Sequence, residues 1–388
     1  MPPLMQMSEE SPTATAVTKE GGTVAATLVQ ASARCSSARL ASVGVISEPA
    51  RTPVAERTPL AAERSWQSLL AESISEVGEL WRVLGLPPSA LPAARAAAGS
   101  FRLLVPRGFA AAMRPGDLAD PLLRQVLPVG EELVTVPGYS SDPLAETQCT
   151  PVPGMLHKYH GRALMVVTGA CAVHCRYCFR RHYPYEDLPR GRQWWTPSIA
   201  WLHDQRDIHE VLLSGGDPLT LPDAQLAALA ADLATVPQLT RLRIHSRLPI
   251  VLPERIDAAF LQWFTAGRLA PVLVVHCNHP QELTPAVVAA CQRLRDAGVT
   301  VLSQAVLLQG VNDSADTLVE LSEKLFAAGV IPYYLHLLDR VQGAHHFMVT
   351  DDRAKDVMRA VAARLPGYLV PRLVREEAGA EGKTPVRW

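Results

Sequence analysis

The 388-residue chain is short of net charge, of long apolar runs and of any leader-like start, and each shortage closes off a class of function. Lysine and arginine number 37 and aspartate and glutamate 38, a net charge of −1, so nothing points to nucleic acid or an anionic membrane surface. No apolar stretch reaches the ~18–20 residues that a membrane-spanning helix needs. The opening Met-Pro-Pro-Leu-Met-Gln-Met-Ser-Glu-Glu carries neither a basic segment nor an apolar core, so no export signal is expected. Seven cysteines, an odd number in an unexported chain, argue against a disulfide framework and for a reducing, cytoplasmic setting. What remains is a globular composition, 48% hydrophobic and 19% charged.

Residues 1–60, rich in Ala, Ser, Thr, Val and Pro without a sustained period, are predicted to form a disordered N-terminal extension. No methionine lies between Met7 and Met113, so a misplaced start would leave the same signature. Residues 61–155 read as a mostly helical N-terminal region. There Trp66, Leu69, Leu70, Ile74, Val77, Leu80 and Trp81 fall at spacings of three and four, predicting one amphipathic helix closed by Gly85-Leu-Pro-Pro. Shorter helices are expected near 90–98 and 120–126, and 130–155 reads as loop. Six strand-then-helix units follow, with strands at 163–167, 210–214, 239–245, 271–276, 300–307 and 331–338. That alternation implies α/β architecture with parallel strands and right-handed crossovers. Six units are two short of a closed eightfold barrel, and the pattern alone leaves a doubly wound sheet open.

Directly after the first of these strands stands Thr168-Gly-Ala-Cys171-Ala-Val-His-Cys175-Arg-Tyr-Cys178, a C-x3-C-x2-C spacing. Thiolates so close in sequence can share one metal centre. Three leave a tetrahedral zinc site one ligand short, which His174 could supply, or leave one iron of a [4Fe–4S] cluster open. With Tyr177 before the last cysteine, the motif resembles the cluster loop of radical S-adenosylmethionine enzymes. That resemblance implies a [4Fe–4S] cluster on Cys171, Cys175 and Cys178. It also implies an open six-stranded (β/α)6 partial TIM barrel, here over 156–370.

Further motifs resemble the lysine 2,3-aminomutases, which use pyridoxal phosphate together with S-adenosylmethionine. The turn Ser214-Gly215-Gly216-Asp217, the segment Arg243-Ile-His245-Ser246-Arg247 and Gln304 are similar to that family's S-adenosylmethionine contacts. Gly215, Gly216, Asp217, Ser246 and Gln304 take those roles by resemblance. Lys383, in a glycine-containing loop over 371–388, falls on the lysine that carries pyridoxal phosphate as a Schiff base. Lys158, Tyr159 and Arg162 fall on phosphate-holding positions. Arg180 falls on the residue that reads the substrate α-carboxylate, and Asp339 and Glu376 on the two that hold its ε-ammonium. Glu376 stands where the free-lysine enzymes carry aspartate.

Residues 243–250, Arg-Ile-His-Ser-Arg-Leu-Pro-Ile, and the run ending at Asp339 most resemble a short branch of the family that serves β-lysylation of elongation factor P. The implied reaction turns L-α-lysine into (R)-β-lysine. Implied partners are a flavodoxin- or ferredoxin-type reductant and, functionally, the elongation factor P lysyl ligase. An aminomutase for glutamate or free lysine is one alternative. A non-enzymatic zinc or electron-transfer protein is another, though it would need neither the Gly-Gly-Asp turn nor a six-unit parallel sheet.

Overall fold

The computed structural model describes residues 64–189, 191 and 193–388; the extension expected over 1–60 lies outside them. Among the described residues, one sheet of nine strands runs in sequence order. They are β1 (Met155–Tyr159), β2 (Arg162–Thr168), β3 (Glu210–Gly215), β4 (Arg241–Ser246), β5 (Ala270–His276), β6 (Thr300–Val306), β7 (Ile331–His336), β8 (Arg372–Arg375) and β9 (Thr384–Pro385). From β2 to β8 every neighbouring pair is parallel, while β1 pairs antiparallel with β2 and β9 with β8. The order ends at β1 and β9, so the sheet is open.

All six predicted strands are present, but the expected count of six is too low. A seventh parallel strand, β8, and two antiparallel edge strands extend the sheet. β8 is four residues long, with only Leu373 and Val374 buried, too short to show a period of two. It also lies in the 371–388 segment read as a loop, so that boundary moves: the segment is anchored in the sheet on both sides of Lys383.

Alternation along the strands divides the sheet into two faces. Val211, Leu213, Leu242, Ile244, Leu273, Val275, Val301 and Leu335 point into the apolar core under the helices. Their neighbours Glu210, Leu212, Ser214, Arg243, His245, His276, Leu302, Gln304, Tyr334 and His336 point into a cavity. The covering helices follow the expected pattern. Thr284 caps Pro285–Asp296 by accepting from Val287 N, and Ser314 caps Ala315–Ala327 by accepting from Thr317 N. In Ala315–Ala327, Leu318, Leu321 and Leu325 form the buried stripe.

The N-terminal region is helical in short pieces and shares the main apolar core. The single helix expected over 66–81 is two, Trp66–Ala71 and Val77–Leu84. Ile74 breaks it by exchanging both backbone hydrogen bonds with Val105 (2.8 and 2.9 Å). Its side chain stays buried, so spacing alone could not reveal the break.

Candidate active site

Every residue singled out for chemistry, from Lys158 to Lys383, lines one cavity of about 980 Å³ inside the curved sheet. That is the upper range for a small-molecule site. The cysteine loop enters it after β2, on the side where the parallel strands end.

The loop is pinned by the N-terminal region. Arg176, fully buried, binds Glu132 through two nitrogens (2.8 and 2.5 Å) and Phe101 O (2.8 Å). Arg181 reaches the same carboxylate at 2.7 Å. Arg176 N donates to Gln125 O, and the Tyr177 hydroxyl accepts from Asn278 (2.7 Å). Such buried charges hold a loop only because they are paired and hydrogen-bonded.

Gly215 and Gly216 bring the β3 turn against this loop. A Cβ at Gly215 would stand 2.5 Å from Thr168 O, and one at Gly216 2.3 Å from Ala170 O. Gly215 has φ +124, a region open essentially to glycine. Gly216 N and Asp217 N donate to Thr168 O and Ala170 O, both at 2.7 Å. The close approach that these glycines permit is thus to the cysteine loop itself, while they also line the cavity.

Asp217 accepts from Ser246 Oγ (2.7 Å) and from the backbone of Arg247, Leu248 and Leu219. Burial still raises its pKa to about 6. Its carboxylate and the Ser246 hydroxyl therefore lock the β3 and β4 exits together at the cavity edge.

Burial pushes up the Cys171 and Cys178 thiols, Cys178 to about 11, and the neighbouring cysteines push further in the same direction. Among the described residues, no three His, Cys, Asp or Glu side chains converge on a point that one metal ion could occupy. His174, the proposed fourth ligand for zinc, turns away: its Nδ1 meets Arg102 O at 2.8 Å and its ring stacks on Phe101. A cuboidal iron–sulfur cluster takes each thiolate at a separate corner, and the loop's donor set fits that group.

At the other end lie the charges. Lys383 Nζ pairs with Glu376, whose second oxygen accepts from the Tyr159 hydroxyl (3.1 Å). Burial opposes the charge on Glu376, but Lys383 outweighs it and holds the carboxyl down at about 2. Tyr159 is therefore turned to Glu376, with Arg162 stacked on its ring at 4.7 Å. Among the described residues Arg162 has no ion-pair partner, so it is a cation open to an anionic ligand. Lys158 and Arg180 are both held by Glu146.

The Asp339 backbone carbonyl accepts from Val341 N (2.7 Å), but its carboxylate has no hydrogen-bond or ion-pair partner among the described residues. Burial, then the Glu376 charge, raise its pKa to about 7. A carboxylate in that state is poised for a cation. Three imidazoles, His245, His276 and His336, face the same space and burial holds each below its ordinary value, His276 and His336 to about 3. Gln304 Nε2 meets His276 Nε2 at 2.9 Å, whereas Nε2 of His245 and of His336 has no partner.

Sequence reasoning missed Glu146, His276 and His336. Glu146 lies in a stretch without periodicity, and only the folded chain reveals what it touches. The two histidines are the cavity-facing ends of apolar strands, a position legible once those strands are placed.

No family model matches the chain. Proteins named L-lysine 2,3-aminomutase do. That of Escherichia coli (strain K12) is 48% identical over 326 residues, covering 84% of this chain and 95% of its own length. That of Haemophilus influenzae is 44% identical over 322 residues, with 83% and 95% covered. That of Clostridium subterminale is 34% identical over 325 residues, with 83% and 77% covered.

Proposed function

The chain belongs to the L-lysine 2,3-aminomutase family, and we propose that it is a member that makes (R)-β-lysine from L-α-lysine for modification of elongation factor P. As a lysine 2,3-aminomutase it is an isomerase. Its cofactors are a [4Fe–4S] cluster, S-adenosylmethionine and pyridoxal phosphate. When bound, the first two supply a hydrogen-abstracting radical and the third a π-system that lets the amine move from C2 to C3.

The chain's own residues do the rest. Cys171, Cys175 and Cys178, which line the cavity, would hold the cluster. Gly215, Gly216, Asp217, Ser246 and Gln304 form the wall against which S-adenosylmethionine lies. Lys383 carries pyridoxal phosphate, and Arg162, with Lys158 and Tyr159, meets its phosphate. Arg180 reads the α-carboxylate with a guanidinium fork suited to that anion. Asp339 takes the ε-ammonium. Glu376, which pairs with Lys383 and accepts from the Tyr159 hydroxyl, would be the second carboxylate to share the ε-ammonium.

The observation that carries the substrate is the unpartnered carboxylate of Asp339 in the same cavity as the Arg180 guanidinium. A lysine zwitterion matches that polarity at both ends. Glutamate would place its side-chain carboxylate against Asp339 and Glu376, a like-charge contact that costs several kcal/mol in a buried site. The link to elongation factor P is supported by the resemblance of 243–250 and of the run ending at Asp339 to the short branch that serves it.

The test is chiral product analysis after anaerobic incubation with lysine or glutamate, S-adenosylmethionine and a flavodoxin-type reductant. (R)-β-Lysine from lysine alone is expected, and transfer of that product to elongation factor P by its lysyl ligase. β-Glutamate as the main product would overturn the substrate, and (S)-β-lysine would overturn the link to the elongation factor.

A further inference from the structure

Among the described residues, Glu146 is the one acidic residue that touches two of the cavity's anion-reading cations. It is 4% exposed, in a stretch that carries no motif. Its carboxylate grips Arg180 side-on, Oε2 at 2.7 Å from Nε and Oε1 at 2.9 Å from Nη2. Oε1 also accepts from Lys158 Nζ at 3.3 Å. Burial opposes its charge, yet Arg180 and Lys158 outweigh that and lower its pKa.

The loop is built to deliver this one side chain. Ala145, just before it, has φ 49, a left-handed conformation that is strained for a residue with a Cβ. Asp142 ties the turn by accepting from Glu146 N (3.1 Å) and Thr147 Oγ1 (3.2 Å).

We propose that Glu146 is the positioning residue for Arg180. It turns the guanidinium so that its end-on edge, and not its side-on edge, meets the substrate carboxylate. Of five guanidinium hydrogens, three are committed: two to Glu146, and one from Nη1 to Ser214 Oγ at 2.9 Å. One hydrogen remains on each terminal nitrogen, available to a carboxylate. The same carboxylate neutralises Lys158, which would otherwise repel Arg180 across the cavity. The inference rests on the assignment of Arg180 to the α-carboxylate made above.

The test uses protein loaded with cluster and pyridoxal phosphate, without S-adenosylmethionine or reductant, so that nothing turns over. The absorbance of bound pyridoxal phosphate reports the arrival of L-lysine or of L-lysinamide, which lacks the carboxylate. In the unaltered protein lysine binds more tightly than lysinamide. In Glu146→Gln the affinity for lysine falls by at least roughly tenfold while that for lysinamide stays within about twofold, so the preference collapses. Iron and pyridoxal phosphate content stay unchanged. Glu146→Asp, which keeps the charge but shortens the reach, retains part of the preference; it also decides the matter if Glu146→Gln does not load.

A full preference in both variants would overturn the inference. Parallel weakening of both ligands, or loss of either cofactor in both variants, would show that Glu146 only holds up the fold. Unaltered protein that binds both ligands equally would overturn instead the role of Arg180.

Discussion

At the cysteine end of the cavity the polar groups are committed to holding a loop, whereas at the Lys383 end charged groups hold one another. Arg176, Arg181 and Glu132 lock the cysteine segment from behind, and Asp217 collects four donors from the turns around it. None of these contacts needs to break for a cluster to be built. Across the cavity, Glu146 holds Arg180 and Lys158, and Glu376 holds Lys383 and Tyr159. There the ligands must take up groups that already neutralise one another. One end is preorganised by scaffolding. The other is a balanced set of charges that exchange partners, so damage at the first should empty the site and damage at the second should retune it.

The largest expected effect lies at the cysteine end. Cys175→Ala should remove most bound iron and all measurable turnover, because on the proposed assignment it deletes a cluster ligand. Iron and sulfide analysis of anaerobically reconstituted protein decides this, and full cluster content would break the contrast outright. Lys383→Ala should abolish turnover too but keep the iron, separating the two ends. Borohydride reduction and peptide mapping should find no pyridoxyl label at residue 383, and a label on Lys158 in the unaltered protein would reverse the assignment.

Asp339→Asn should lower turnover of lysine by at least roughly a hundredfold with both cofactors bound, since a buried ammonium is left without its anion. The same group sets a pH dependence. Its pKa is raised to about 7, so the carboxylate is charged above that pH and neutral below it. The ε-ammonium stays protonated throughout, with an ordinary pKa near 10.4. KM for lysine should therefore be level above pH ~7 and climb about tenfold per unit below it, and Asp339→Asn should flatten the profile. A flat profile in the unaltered enzyme would remove Asp339 from substrate binding.

The two ends also differ in how much of them the sequence discloses. Cys171, Cys175 and Cys178 fall within eight consecutive positions, so local spacing was enough to find them. The six strands at 163–338 were legible because each is apolar and bounded by helical periodicity. β8 was not, since four residues next to a cavity loop carry too little pattern. The charged end is assembled from residues 146 to 383, and which cation meets which anion is a property of the fold. Family resemblance singled out Lys158, Arg180, Asp339, Glu376 and Lys383, which line one cavity. It could not show that Glu146 stands between two of them, or that Ile74 breaks the first long helix to pair with Val105.

The most direct test is the structure of the loaded enzyme with lysine bound, determined anaerobically. The α-carboxylate should lie on the free edge of the Arg180 guanidinium, with the ε-ammonium against Asp339 and Glu146 still on the opposite edge of the arginine. Lysine bound in the reverse sense, or with its ε-ammonium away from Asp339, would contradict the account.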